Sequence, residues 1–402
     1  MPTRPLDATD GRPRAPLPDE VTPLLGNRTP AQFMRRYWQK KPLLIRQAIP
    51  DIRAPLSRDE LFELADLDDA ESRLITHFRK TWALEHGPFA PDELPSVKKR
   101  EWTLLVQGVN LHHDRAHELM NRFRFIPDAR LDDLMISYAT DGGGVGAHFD
   151  SYDVFLLQVL GKRRWRIGAQ RDLSLKPGLP LKVLQHFEPE EEWVLEPGDM
   201  LYLPPHIAHD GVAEGECMTC SIGFRAPSTQ ELTGQFLYHL AERTGDSNVP
   251  AAHYRDPKQE PVRHPAELPE LLLERVGAIL ANVTWHEKDV ASFLGSYMSE
   301  PKANVVFDPP ARPLTEQKFV ERAKKSGLRL DRKTVLLYDK RSYFLNGEPE
   351  LLDAKLRKWL PELANYRHLE AKRFVTLADD STMTALLHEW YRAGWIQVDA
   401  YA

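Results

Sequence analysis

His148 and Asp150 stand two residues apart at the end of the run Gly142-Gly-Gly-Val-Gly-Ala-His-Phe-Asp150, and His209 closes a second segment, Pro204-Pro-His-Ile-Ala-His209. Two imidazoles and one carboxylate can take one face of a divalent iron and leave the opposite face open, which is the ligand set that oxygen chemistry at a non-haem iron requires. Scattered histidines would not read this way. The chain has 15 of them, and His112, His113, His186 and His253 lack comparable surroundings and read as surface or packing residues. His206, three residues before His209, reads as a solvated loop histidine, with an extra polar group beside the metal as the alternative.

Those ligands need elements to hold them. In a β-strand residues i and i+2 point the same way, so a short strand would converge His148 and Asp150 while Phe149 packs behind. Pro197-Gly198 predicts a turn, Met200 to Leu203 an apolar strand, and Pro204-Pro205 its end. His209 then sits at a rigid strand end. The spacing of Gly198, Pro204 and His209 resembles the second motif of the cupin superfamily.

Most oxygenases of this kind use a 2-oxo acid, whose far carboxylate needs a cation inside the barrel. Tyr152 to Leu160 and Arg163 to Ile167 read as two strands of a hairpin turning at Gly161. On the second strand Arg163 shares parity with Trp165 and Ile167, while Arg164 and Arg166 take the other face. If the apolar pair faces the barrel, so does Arg163, and a planar guanidinium is suited to gripping a carboxylate through two hydrogen bonds. An exposed basic strand is the alternative.

Met135-Ile-Ser137-Tyr, the glycine run through Asp150-Ser-Tyr-Asp-Val-Phe, Gly161-Lys-Arg-Arg-Trp-Arg and Gly223-Phe-Arg-Ala-Pro resemble the bacterial ribosomal oxygenases of the JmjC type. Upstream, Tyr37-Trp-Gln-Lys-Lys-Pro-Leu, His86-Gly-Pro-Phe and Trp102-Thr-Leu-Leu-Val-Gln-Gly-Val-Asn resemble them too. The likeness covers most of residues 25 to 230, and Asp141 departs from it where proline is expected. It implies a hydroxylase dependent on Fe(II), 2-oxoglutarate and O2 that acts on the β-carbon of an arginine in large-subunit ribosomal protein L sixteen. It implies His148, Asp150 and His209 as metal ligands, Arg163 as the partner of the 2-oxoglutarate carboxylate, and Ser137 as a further contact to cofactor or substrate. A different class stays open: a metal-binding cupin sensor or regulator with a winged-helix output domain. Histone or RNA-factor demethylation would share the chemistry and differ in substrate.

At 402 residues with a net charge of −6, the chain is long enough for two or three domains. Its charge suits a basic partner better than nucleic acid. No stretch reaches the ~20 apolar residues that span a bilayer, and the start lacks an apolar signal core, so a cytoplasmic protein is expected. Cys217 and Cys220, the two cysteines, have no second pair and read as buried structural thiols rather than a zinc or redox site.

The expected fold is α+β: a double-stranded β-helix, the JmjC/cupin jelly roll, with helical additions. Proline-rich residues 1–24 read as a flexible arm, and 25–227 as the catalytic domain. Thr29-Pro-Ala-Gln32 predicts a capped helix through Trp38, and Asp59 to Ala70 a second. Residues 228–312 form a helical region, with apolar spacing over Thr229 to Arg243 and Glu267 to Met298 and an irregular stretch from Ser247 to His264. Phe236, Leu240, Leu272, Val276, Ile279, Phe293 and Tyr297 could cover the barrel or form a twofold interface, and the resemblance to the ribosomal oxygenases implies the homodimer. Residues 313–402, with a hairpin at Asn346-Gly347 and a final strand after Gly394, look like a winged-helix module. Its mixed charges favour a structural or protein-binding role over nucleic acid.

Overall fold

A computed structural model describes residues 14–79, 81–245 and 253–398. It falls into two compact units, Met1–Ala226 with Pro301–Thr334 and Tyr366–Ala402, and Pro227–Glu300 with Val335–Asn365. Residues 1–13 of the expected arm lie outside the described residues, as does the start of the irregular stretch. From Arg14 onward the arm is held in place. Pro16 and Leu24 are buried, and Thr22 caps a single 3-10 turn at Pro23–Leu25.

The first unit is built on one antiparallel sheet of nine strands: β1 (Leu43–Ile45), β2 (Ser72–Phe78), β3 (Thr81–His86), β4 (Trp102–Val106), β5 (Leu131–Ala139), β6 (Val154–Gly168), β7 (Glu191–Leu195), β8 (Met200–Leu203) and β9 (Ala208–Phe224). The order β1-β8-β6-β9-β5-β4-β2-β3, with β7 beside β6, is that of a jelly roll wound from strands distant in sequence. Helices α1 (Pro30–Arg36), α2 (Arg58–Leu64), α3 (Val109–His112) and α4 (Asp114–Asn121) accompany it. The α1 cap forms as the sequence predicts, Thr29 and Gln32 each accepting from the other's backbone N–H at 3.1 Å, though the helix ends at Arg36 rather than Trp38. From α1, Phe33 packs on Phe155 and Tyr202 with ring centroids 5.5 and 4.9 Å away. Burial of each such ring contributes about 1.5–3 kcal/mol.

One expectation fails where it matters. Residues 154–168 are a single strand, not a hairpin, because β6 pairs with β9 on both sides of Gly161. The glycine sits at φ +61°, and a Cβ there would come within 2.0 Å of the Glu216 carbonyl, so the chain bulges instead of reversing. The register slips between Gln158 and Leu160 and again between Leu160 and Lys162. That slip has a consequence for parity. Before the bulge Val154 and Leu156 face inward; after it Trp165 and Ile167 do, all four in one cluster with Leu195, Leu201 and Leu203. Without the bulge the odd-numbered Arg163 would share the outer face of Phe155 and Leu157.

The first unit also holds α8 (Glu316–Ser326), α10 (Ala371–Val375) and α11 (Ser381–Arg392), with a three-stranded sheet of β10 (Leu328–Leu330), β14 (His368–Leu369) and β15 (Ile396–Gln397). The second unit carries α5 (Thr229–Gly245), α6 (Glu270–Ala281), α7 (Glu287–Ser299) and α9 (Leu360–Tyr366). Its sheet is formed by β11 (Leu336–Tyr338), β12 (Ser342–Leu345) and β13 (Glu348–Leu351). Asn346 and Gly347, both at positive φ, turn β12 into β13 as the dipeptide predicts. The helical spacing read from Glu267 to Met298 is carried by two helices, α6 and α7, separated at 282–286.

Among the described residues no helix is long and apolar enough to cross a membrane. Cys217 and Cys220 are buried in β9 and unbonded, and burial pushes the Cys220 thiol well up.

Candidate metal centre

The segment carrying His148 and Asp150 is not the short strand that the sequence suggests. It is a loop with one β-bridge: His148 N–H donates to the His209 carbonyl at 2.9 Å and His209 N–H returns the bond at 2.8 Å. The convergence expected of a strand survives, since His148 and Asp150 both reach one ligand group. Glycines let it lie this close. A Cβ on Gly143 would meet the Trp102 carbonyl at 2.4 Å, and Gly142 N–H and Gly143 C=O bond to Ala213 on β9.

His148, Asp150 and His209 offer ligand atoms that all lie within 4.8 Å of one another, and no other such group occurs among the described residues. His209 Nε2 is 3.6 Å from Asp150 Oδ2. Each imidazole is oriented by a backbone carbonyl two residues before it: His148 Nδ1 lies 2.9 Å from the Gly146 oxygen and His209 Nδ1 2.9 Å from that of Ile207. A carbonyl only accepts, so Nδ1 carries the proton and Nε2 is left as a bare lone pair, the form a metal needs. Burial, reinforced by the neighbouring His148, holds the His209 pKa down at about 4.

Arg163 is 4% exposed and faces the barrel interior, as its parity predicts. Its Nη1 donates to Ser137 Oγ at 3.1 Å, which brings together the two residues singled out for the cosubstrate. Its Nε and Nη2 have no partner. A buried guanidinium with idle donors costs about 1–3 kcal/mol for each unmade bond. The outward arginines of the same strand differ: Arg164 bonds Glu192 and Glu214, and Arg166 bonds Asp210. The donor sets therefore fit both groups: two nitrogens and a carboxylate suit a divalent metal, and the orphaned guanidinium suits a carboxylate.

Two neighbours escaped the sequence reading. Tyr152 donates its hydroxyl to Asp150, and its pKa is raised by burial and by that carboxylate. Asp133 is buried in the row that also presents Ser137. It accepts from Gly108 N–H at 3.1 Å, and burial raises its carboxyl against the opposing pull of Lys302. Parity was the available signal, since Tyr152 follows Asp150 by two and Asp133 precedes Ser137 by four. His206 is exposed on its loop at φ +66°, outside the ligand group, as expected for a solvated histidine.

Residues 118–232 match the model of the JmjC domain family, and 282–397 that of the ROXA-like winged helix. The chain is 34% identical over 368 residues to the ribosomal protein uL16 3-hydroxylase of Escherichia coli, covering 90% of this chain and 96% of that protein. It is 38% identical over 237 residues to a probable ribosomal oxygenase of Haemophilus influenzae, covering 58% and 57%. The solved structure of YcfD, a ribosomal oxygenase from Escherichia coli, in complex with cobalt and 2-oxoglutarate superposes with a TM-score of 0.76 at 33% identity. That match covers 91% of this chain and 97% of that one.

Proposed function

The chain belongs to the JmjC ribosomal oxygenases, and from that premise we propose that it hydroxylates the β-carbon of an arginine in large-subunit ribosomal protein L sixteen, using Fe(II), 2-oxoglutarate and O2. Its E. coli relative is named for action on that ribosomal protein. The observation that carries the reading is Arg163, a buried guanidinium with two idle donors in the same interior as a ready-made metal triad.

In this reading His148, Asp150 and His209 hold the iron through Nε2, a carboxylate oxygen and Nε2. Arg163, steadied by Ser137, takes the far carboxylate of 2-oxoglutarate. Bound together with dioxygen, iron and the oxo acid supply the oxidising power that replaces a C–H bond by C–OH, releasing succinate and carbon dioxide. The chain's part is placement. The carbonyls of Gly146 and Ile207 fix both imidazole planes, and Tyr152 holds the Asp150 carboxylate from the side. Leu156, Ile167, Leu201 and Leu203 keep the interior apolar, so water is excluded until the target carbon arrives. The buried Asp133 offers an anion to the basic substrate side chain. A sensor with the same triad would have no use for an unpaired interior guanidinium.

The protein acts as a homodimer in this proposal. Helix α6 has no buried residue, and Leu273, Val276, Ile279 and Leu280 are 56%, 39%, 56% and 65% exposed along it. A second copy of the chain would cover them. α5 and α7 are better provided for, since Phe236 and Phe293 pack with centroids 5.4 Å apart.

The test is turnover of 2-oxoglutarate to succinate by the iron-loaded chain in air, with and without the ribosomal protein, followed by mass spectrometry of that protein. The expected result is one added oxygen on a single arginine, dependent on iron and 2-oxoglutarate. Succinate without added oxygen would discard the substrate, and no metal-dependent turnover would discard the oxygenase.

A further inference from the structure

Resting on that reading, we infer that Trp165 is a third cosubstrate-positioning residue, its indole N–H donating to the 2-oxo acid bound between Arg163 and the metal. Along β6 the interior positions run Arg163, Trp165, Ile167, and opposite them on β9 run Ala213, Gly211, His209. Trp165 is thus the side chain one step from the guanidinium and one step from the metal ligand. The distances agree: Arg163 Cζ is 5.8 Å from the Trp165 ring, and the Trp165 and His209 ring centroids are 5.9 Å apart.

The indole is 4% exposed, and its Nε1 has no hydrogen-bond partner. A buried indole N–H normally finds an acceptor. Here the surroundings decide which kind. Idle donors cluster: Arg163 Nε and Nη2 are orphaned in the same interior, so what would satisfy all of them is rich in acceptors, as a dicarboxylate oxo acid is. A Cβ on Gly211 would come within 2.6 Å of the Trp165 Cη2 and Cζ3 atoms, so that edge of the six-membered ring packs on the glycine and the opposite, pyrrole edge bearing Nε1 is turned from it. A phenylalanine would fill the apolar part of this space and lack only the donor.

The measurement uses the full chain with Zn(II) in place of iron, titrated with 2-oxoglutarate and followed through the indole N–H signals of its nine tryptophans. Trp165→Phe identifies the Trp165 signal by its loss; backbone-to-indole contacts in the unsubstituted protein identify it should that variant fail to fold. The expected result is a downfield move of this signal on saturation. In calorimetry, Trp165→Phe should bind 2-oxoglutarate roughly tenfold more weakly, as expected for one hydrogen bond to a charged acceptor, with Zn(II) affinity unchanged. A signal that stays in place while 2-oxoglutarate binds, or equal affinity in the variant, overturns the inference and leaves the oxygenase standing. Failure of the unsubstituted chain to bind 2-oxoglutarate overturns both.

Discussion

In the barrel interior the groups left without partners are polar: Arg163 Nε, Arg163 Nη2 and Trp165 Nε1. Along α6 they are apolar, with Leu273, Ile279 and Leu280 each more than half exposed. A buried donor without an acceptor asks for a small, acceptor-rich molecule that can enter a confined space. A row of bare aliphatic side chains asks for area, which another protein surface provides. What each region lacks is what the proposed 2-oxo acid and the proposed second copy would supply, and the two proposals can be broken separately.

The largest effects lie in the barrel. His148→Ala or Asp150→Ala should abolish succinate formation, and in Co(II)-loaded protein should remove the visible absorption of the bound metal. Retained coupled turnover would take the metal elsewhere. Next comes Arg163→Met, which keeps the stem and removes the charge. Losing a charge-assisted, two-point contact should weaken 2-oxoglutarate about a hundredfold while metal affinity stays the same. An unchanged 2-oxoglutarate requirement would move the carboxylate site off β6.

The same strand shows how far the sequence could be read. Parity alone placed Arg163, Trp165 and Ile167 together and set Arg164 and Arg166 against them, because that pattern is local and has period two. The turn at Gly161 was misread because a glycine at positive φ serves a hairpin and a bulge equally well. Only the pairing of β6 with β9, some fifty residues on, distinguishes them. The triad was legible for a related reason: His148 and Asp150 converge through spacing, and His209 follows a strand bounded by Pro204. That His148 and His209 pair through their backbones was not, since no local pattern records a contact between a loop and a distant strand. Parity put Asp133 in the row of Ser137, but nothing local marks it out from the rest of that row; its burial does. The caps at Thr29 and the turn at Asn346 needed only neighbours, and both formed as read.

Breaking the helical side should leave the barrel intact. Ile279→Glu with Leu280→Glu places two charges on the bare face of α6, where burial against a second copy would cost several kcal/mol per unpaired charge, on the order of what holds a modest interface. Light scattering should report a monomer with unchanged helix content. A chain that remains dimeric would move the interface away from α6, and one already monomeric before substitution would remove the dimer.

The smallest effect sharpens the comparison from within the barrel. Arg164 lies next to Arg163 but points outward, 43% exposed and bonded to Glu192 and Glu214. Exposed ion pairs of this kind are screened by solvent, so Arg164→Ala should shift the melting temperature by only about a degree or two and leave the 2-oxoglutarate requirement where it was. The contrast with Arg163→Met isolates direction from charge: two arginines adjacent in sequence, on one strand, separated only by which face the bulge at Gly161 assigns them. If both substitutions raised the 2-oxoglutarate requirement alike, the effect would belong to the net charge of β6, and the case for an interior carboxylate site would rest on Ser137 and Trp165 alone.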